Sequence, residues 1–236
     1  MNKAALSVCL LLSILTANMP IPAMAQTAPV KLTRKTVTDI DVTTHLETEA
    51  SYAQVISPTA KLAGFNVAAA KQATDAITAF KTDNAGNEAP VGAPMTNTVQ
   101  IDYAVLYNRA GLISIHNTVA FYAAGAAHPN SYSTVLNYDV DAGKALDLAD
   151  MFKPEVKYLD VLATYCRANL KRRGRLDFPE GVDPKLENYD AWNITPRGLR
   201  IHFDPYQVTA YVAGPQQCVV PYSILKKALK EPARLR

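Results

Sequence analysis

Histidine, cysteine and tryptophan are scarce in this chain, with four, three and one among 236 residues. The histidines and cysteines show none of the short spacings that bind zinc, so no metal site is expected. Neither an H-E-x-x-H metal motif nor a G-x-S-x-G nucleophile turn is present, and no cofactor is expected. Charge of one sign is also lacking: a formal net charge of +3 is too near neutrality to indicate a nucleic-acid partner. Beyond the first apolar run, no stretch is long and apolar enough to span a bilayer. There is no repeated βαβ unit, which removes the reason to expect a doubly wound parallel sheet.

What is present begins with Met1–Asn2–Lys3, a short positive segment, followed by an apolar run from Ala4 to Leu15 and the small pair Ala23 and Ala25 in A-x-A spacing. This is the pattern of a secretory signal peptide over residues 1–25, with cleavage expected after Ala25. Cys9 lies inside the apolar run behind Val8, which does not suit a lipoprotein acceptor. The mature chain, about 210 residues, is expected to form a single α+β domain over 26–236. Its N-terminal half spans about 30–95 and its C-terminal half about 98–230. A periplasmic or secreted location follows, with no transmembrane segment once the signal is removed.

Two cysteines then remain in an oxidising compartment, Cys166 on a predicted helix and Cys218 on the last predicted strand. A disulfide stapling helix to sheet is the expectation, with two buried thiols as the alternative. Closing a loop of that length stabilises by roughly 4 kcal/mol in the chain-entropy account.

Along the chain, the alternation of Val37, Asp39, Asp41 and Thr43 predicts a strand within Val30 to Leu46. Ala50 to Ile56 is a second, ended by Ser57–Pro58. Between Ala60 and Phe80 the spacing of Phe65, Val67, Ala70, Ala73, Ile77 and Phe80 predicts an amphipathic helix, followed by a polar loop with Pro90 and Pro94. Val99, Ile101, Tyr103, Val105 and Tyr107 alternate on one predicted face of the strand Thr98 to Asn108. That strand turns through Asn108–Arg109–Ala110–Gly111 into Leu112 to Tyr122, an antiparallel hairpin. A strand over Ser131 to Asp139 and a helix over Tyr158 to Lys171 come next, then an irregular loop from Leu176 to Tyr189. A hairpin turns at Pro196–Arg197–Gly198, the strand Gln217 to Val220 follows, and Pro221 opens a short helix. This order predicts an α+β fold, a mostly antiparallel β-sheet packed with helices on one face.

The loop Asp204–Pro205–Tyr206 and the turn Ala213–Gly214–Pro215 each join a φ-restricted proline to a turn former, more particular than a plain linker needs. Loops at one sheet edge would present His128, Asn130, Asp204, Pro205 and Tyr206, the candidate binding residues, with tyrosine supplying rigid area and a polar tip. Tyr206, Tyr211 and Tyr222 have the alternative reading of core residues that tie the loop to the sheet. Trp192 reads as a core anchor or a binding platform. Arg167, Lys171, Arg172, Arg173 and Arg175 read as a solvated helix end or a contact for an acidic partner. For acid–base chemistry the residues available are His116, His128, His202, Asp204 and Tyr206, with His202 and Asp204 spaced to share a strand face. His128 before Pro129 is also accounted for as an extended turn residue.

The segments Gly125–Ala126–Ala127–His128–Pro129–Asn130, Tyr132 to Tyr138, Leu146–Asp147–Leu148, Met151–Phe152, Tyr158–Leu159, Phe203–Asp204–Pro205–Tyr206, Tyr211, Ala213–Gly214–Pro215 and Val220–Pro221–Tyr222 occur together in one order. In that order the chain resembles the RsiV-like extracytoplasmic domain family, shared by the lysozyme-sensing anti-sigma factor RsiV and the N-terminal region of the peptidoglycan deacetylase PdaC. The resemblance covers about Thr98 to Lys230, with Val30 to Phe80 as the companion half. It implies a cell-envelope binding module whose partner is a lysozyme-type hydrolase or peptidoglycan. The chain shows no deacetylase domain, and a cleavable signal stands where the anti-sigma factor has a cytoplasmic segment and a membrane helix. A small hydrolase acting on cell-wall fragments around His128 and Asp204, and a structural envelope module without its own ligand, are the other two readings.

Overall fold

Two β-sheets, one large and one small, face each other across a polar seam in the computed structural model, which describes residues 28–42, 45–85 and 97–235. The expected signal peptide and its cleavage site lie outside the described residues. Strand β1 (Thr33–Asp41) pairs antiparallel with β2 (Leu46–Gln54). Helix α1 (Ala60–Asp83) carries the chain back so that β3 (Asn97–Arg109) lies parallel to β2. The sheet then continues antiparallel through β4 (Leu112–Tyr122), β5 (Asn130–Asp139) and the two-residue β6 (Lys144–Ala145). A parallel pair needs a crossover of a dozen or more residues, and α1 supplies it. After α2 (Tyr158–Arg172) the smaller sheet is an antiparallel meander of β7 (Trp192–Thr195), β8 (Gly198–Phe203) and β9 (Gln216–Pro221), closed by the single turn α3 (Tyr222–Leu225). The fold is α+β and mostly antiparallel. Each long helix lies on one face of its own sheet, α1 on the larger and α2 on the smaller.

Helix α1 buries Leu62, Phe65, Ala69, Ala73, Ala76 and Phe80, steps of three and four residues that keep one stripe against the sheet. Val67, counted among the apolar positions in the sequence, is 68% exposed because two steps from Phe65 turn it about 200° around the helix axis. The three alanines on the stripe let the helix approach closely. Gln72 bonds the sheet directly, donating to the Val135 carbonyl and accepting from Asn117 Nδ2.

The β3–β4 hairpin departs from the expected alternation at a bulge between Val105 and Tyr107. Val99 and Ile101 are buried beneath α1, Val105 is 43% exposed, and Tyr107 has turned to the opposite face and packs in the core of the smaller sheet. One extra residue in one strand reverses the side of everything after it.

That opposite face of β4 and β5 carries Ser114 and Asn137, both buried, and they meet Asn193 of β7. Ser114 Oγ donates to Asn137 Oδ1 (2.6 Å) and accepts from Asn193 Nδ2 (2.8 Å) and the Ile194 amide (3.0 Å). Asn193 Nδ2 also reaches the Ile115 carbonyl, Asn137 Nδ2 donates to the Trp192 carbonyl, and Asn193 Oδ1 bonds His202 Nε2 (2.8 Å). Each buried polar group thus has a partner on the other sheet or within the network. Trp192 is 3% exposed and is a core residue. Gly198 is required at its hairpin turn, since a Cβ there would lie 2.1 Å from the Val220 carbonyl oxygen.

Cys166 on α2 and Cys218 on β9 come together where helix packs on sheet, as the sequence led one to expect, but as two buried free thiols and not as a disulfide. The bond to Cys218 and burial push the Cys166 thiol well above its ordinary range, so the pair behaves as apolar core with an internal hydrogen bond.

Two outcomes are expected. Asn193→Ala strips partners from Ser114, His202 and the Ile115 carbonyl at once and should lower unfolding free energy by about 3 kcal/mol in urea titration. A thiol reagent should find neither Cys166 nor Cys218 in the native protein and both after denaturation, whereas a disulfide would leave none in either state.

Candidate functional site

Two residues beyond the seam along β4 and β5, the same strand faces open into a cleft of about 330 Å³. The larger sheet contributes His116, Thr118, Ser131 and Ser133; the smaller contributes Arg200, His202 and, just past β8, Asp204. Arg173, at the C-terminal end of α2, and Gln217 stand at the rim. These positions are the even-numbered faces of β4 and β8 and the odd-numbered face of β5, so a period of two gathers them once the sheets face each other.

His116 and His202 stack with ring centroids 4.0 Å apart and planes 7° from parallel. Burial, the neighbouring histidine and the Arg200 cation push His202 down to about 3, and burial followed by Arg200 lowers His116. Both rings are therefore neutral at pH 7. Asn193 Nδ2 is committed as a donor, so its oxygen fixes His202 as the Nε2–H tautomer. Asp204 accepts from the Ser133 amide (2.9 Å) and from the Ser133 hydroxyl, and burial holds its carboxyl above the ordinary value despite them. With the Ser133 hydroxyl donating to Asp204, its Oγ is left to accept from His116 Nε2 at 3.1 Å.

Beside the cleft stands an aromatic ladder. Tyr211 stacks on His128 at 3.9 Å and on Tyr206 at 5.6 Å, and its hydroxyl donates to the Pro129 carbonyl (2.6 Å). His128 Nδ1 donates to the same carbonyl at 2.8 Å. The turn that carries Tyr206 closes with the Gln207 amide on the Asp204 carbonyl (3.0 Å), with Pro205 second and Tyr206 third. Tyr206 has φ +71°, the left-handed value that a type II turn demands there and that glycine adopts most cheaply. Its side chain is 53% exposed.

Of the candidate binding residues, His128 and Tyr206 are brought together through Tyr211, and Asp204 and Pro205 form the turn that joins ladder to cleft. Asn130 does not join them; its side chain caps the Ser131 amide beside it. His202 and Asp204 line one cleft, yet His202 bonds an amide and Asp204 bonds Ser133, so neither ring of the stacked pair has a carboxylate partner to poise it as a base. The arrangement offers hydrogen-bond donors and acceptors, two arginines, the Asp204 carboxyl and a flat aromatic face beside them. Tyr222 is a tie to the fold, its hydroxyl on the Thr195 carbonyl. Arg200, Ser131 and Ser133 were not singled out in the sequence; their one signal was the shared alternation with His202 and His116. Among the described residues no group of three or more His, Cys, Asp or Glu side chains is placed to hold a metal ion, and no helix is long and apolar enough to cross a membrane.

Stability against pH reports the state of His202. The unfolded ring titrates near 6.5 and the folded one near 3, so between these values the unfolded chain holds a proton that the fold lacks. Stability from this group is lost as pH falls through that window, at no more than about 1.4 kcal/mol per pH unit. His202→Gln should flatten the acid limb of the urea midpoint; an unchanged limb would mean that the folded ring is protonated.

Residues 149–223 match the family described as "Protein of unknown function (DUF3298)". Over 140 residues the chain is 29% identical to the peptidoglycan-N-acetylmuramic acid deacetylase PdaC of Bacillus subtilis, a match covering 57% of this chain and 30% of that protein's length. Two crystal structures share the fold at 16% identity. A DUF3298 family protein from Pseudomonas aeruginosa superposes with a TM-score of 0.61 over 88% of this chain and 97% of its own, and a family member from Bacteroides fragilis with 0.58 over 88% and 98%. The chain is thus similar over residues 149–223 to the family described as DUF3298, and over 140 residues to a part of the deacetylase PdaC, of whose length it spans less than a third.

Proposed function

We propose that this protein is an extracytoplasmic recognition module of the cell envelope that binds the glycan of peptidoglycan. The observation that supports this most is the ladder of Tyr206, Tyr211 and His128, exposed at Tyr206 and His128 and half-buried at Tyr211, with Tyr206 held in a left-handed conformation. A bulky residue at such a φ costs on the order of 1–2 kcal/mol relative to glycine, and a fold bears that cost where the side chain has work outside the core. A rigid aromatic face with a polar tip suits the apolar face of a sugar ring ringed by hydroxyls. The related deacetylase is named for peptidoglycan N-acetylmuramic acid, which is consistent with a glycan ligand. The hydrolase reading has less support, since the Ser133 proton is directed to Asp204 and His116 donates to Ser133, the reverse of a base activating a nucleophile.

The test uses the protein from Gln26 to Arg236, sedimented with insoluble peptidoglycan and titrated calorimetrically with a soluble glycan disaccharide. Binding is expected in both, and Tyr206→Gly should weaken it at least tenfold while leaving the urea midpoint equal or higher, because glycine relieves the backbone. Failure of the unaltered protein to co-sediment at high micromolar concentration would overturn the reading. Tight binding to c-type lysozyme in its place would move the partner to the hydrolase side of the same envelope class.

A further inference from the structure

Resting on the glycan reading, we propose that the cleft beside the ladder is a carboxylate subsite, in which Arg200 grips an acidic group on the glycan and Arg173 closes over it from the rim. Arg200 projects from the face of β8 that looks toward the larger sheet, between Gly198 and His202. Its Nε is buried and makes no hydrogen bond to the protein, and no carboxylate lies within ion-pair distance of its guanidinium among the described residues. The charged group acting on it is Arg197, another cation, and the two histidines it faces are neutral. Asp204, the acidic side chain lining this cleft, is turned to the Ser133 amide and hydroxyl. Arg173 spends one Nη on the Gln217 carbonyl (2.8 Å) and reaches Asn169 at 3.4 Å, both neutral acceptors.

The cleft therefore holds two arginines with which no carboxylate of the described residues forms an ion pair, Asp204 being engaged by Ser133. Arg200 is half-buried, its Nε unpaired inside the protein, and a planar anion in the cleft can take two parallel donors from its Nη atoms and set charge against charge. Sugar hydroxyls accept singly and carry no charge, so they do not meet the same need. Ser131 and Thr118 line the wall with further hydroxyls. Asp204, which lines the cleft, is two residues from Tyr206, no more than about 7 Å of backbone, so cleft and ladder adjoin. In peptidoglycan such a carboxylate has two sources, the lactyl ether of muramic acid and the stem peptide.

The experiment titrates three probes: an N-acetylglucosamine–N-acetylmuramic acid disaccharide with a free carboxylate, the neutral N-acetylglucosamine disaccharide, and the stem peptide alone. The unaltered protein should prefer the acidic disaccharide at least tenfold. Arg200→Gln should abolish that preference and leave affinity for the neutral disaccharide as it was, with Arg200→Lys intermediate. Equal affinity for both disaccharides would overturn the subsite and leave the glycan reading standing. Arg200-dependent binding of the stem peptide with neither disaccharide bound would support the subsite and overturn the glycan reading; no binding of any probe would overturn both. Should Arg200→Gln fail to fold, NMR titration of the unaltered protein with N-acetylmuramic acid and its methyl ester decides the point. Shifts at His116, His202 and the Arg200 Nε–H with the acid alone support the subsite, and identical shifts with the ester overturn it.

Discussion

Ser114 Oγ, without solvent exposure, takes hydrogen bonds from Asn193 and the Ile194 amide while donating to Asn137. That oxygen is the centre of the bonds by which the larger sheet holds the smaller, with Asn137 on the Trp192 carbonyl and Asn193 on the Ile115 carbonyl beside it. In a low-dielectric interior a polar network is stabilising only when every member is satisfied, and one missing partner exposes the desolvation cost of the rest. Such a network also specifies register: apolar faces slide over one another at little cost, whereas a set of directed bonds among β4, β5 and β7 fixes how the two sheets meet.

The position of the cleft depends on this fixed register. Asn193 Oδ1 holds His202, the His202 ring stacks on His116, and His116 meets Ser133, which is joined in turn to Asp204. A chain of contacts thus runs from the buried seam to the turn that bears Tyr206. Groups placed on strands and locked by their neighbours keep their geometry more faithfully than groups on free loops. The ladder gains the same rigidity because Tyr211 and His128 both bond the Pro129 carbonyl where β5 begins.

Much of the element order was legible in the sequence because the strong periodicities were local. The β3–β4 hairpin, the long helix ending near Arg172, the β7–β8 hairpin and the turns at Asp204 and Gly214 follow from alternation, proline and glycine alone. So did the meeting of Cys166 with Cys218, although not its chemical form. Val67 belongs to the stripe on α1 by apolar content alone, and the helical angle turns it to solvent. The bulge at Val105 was invisible because a strand that alternates almost without error gives no local sign of where its partner slips.

By itself the sequence determined the α+β class, the mostly antiparallel pairing and the particular turn that presents Tyr206, since these rest on residue-to-residue preferences over a few positions. It also put His128, Asp204 and Tyr206 forward, as polar and aromatic groups in turns. The tertiary structure alone decided that Tyr211 would join His128 to Tyr206, that Asn130 would cap its own strand, and that Arg200 would lie in a cleft without an ion-pair partner among the described residues. Those outcomes depend on two sheets meeting across the Ser114–Asn137–Asn193 seam, where residues tens of positions apart become neighbours. Local propensity carries no information about which distant faces will be brought together.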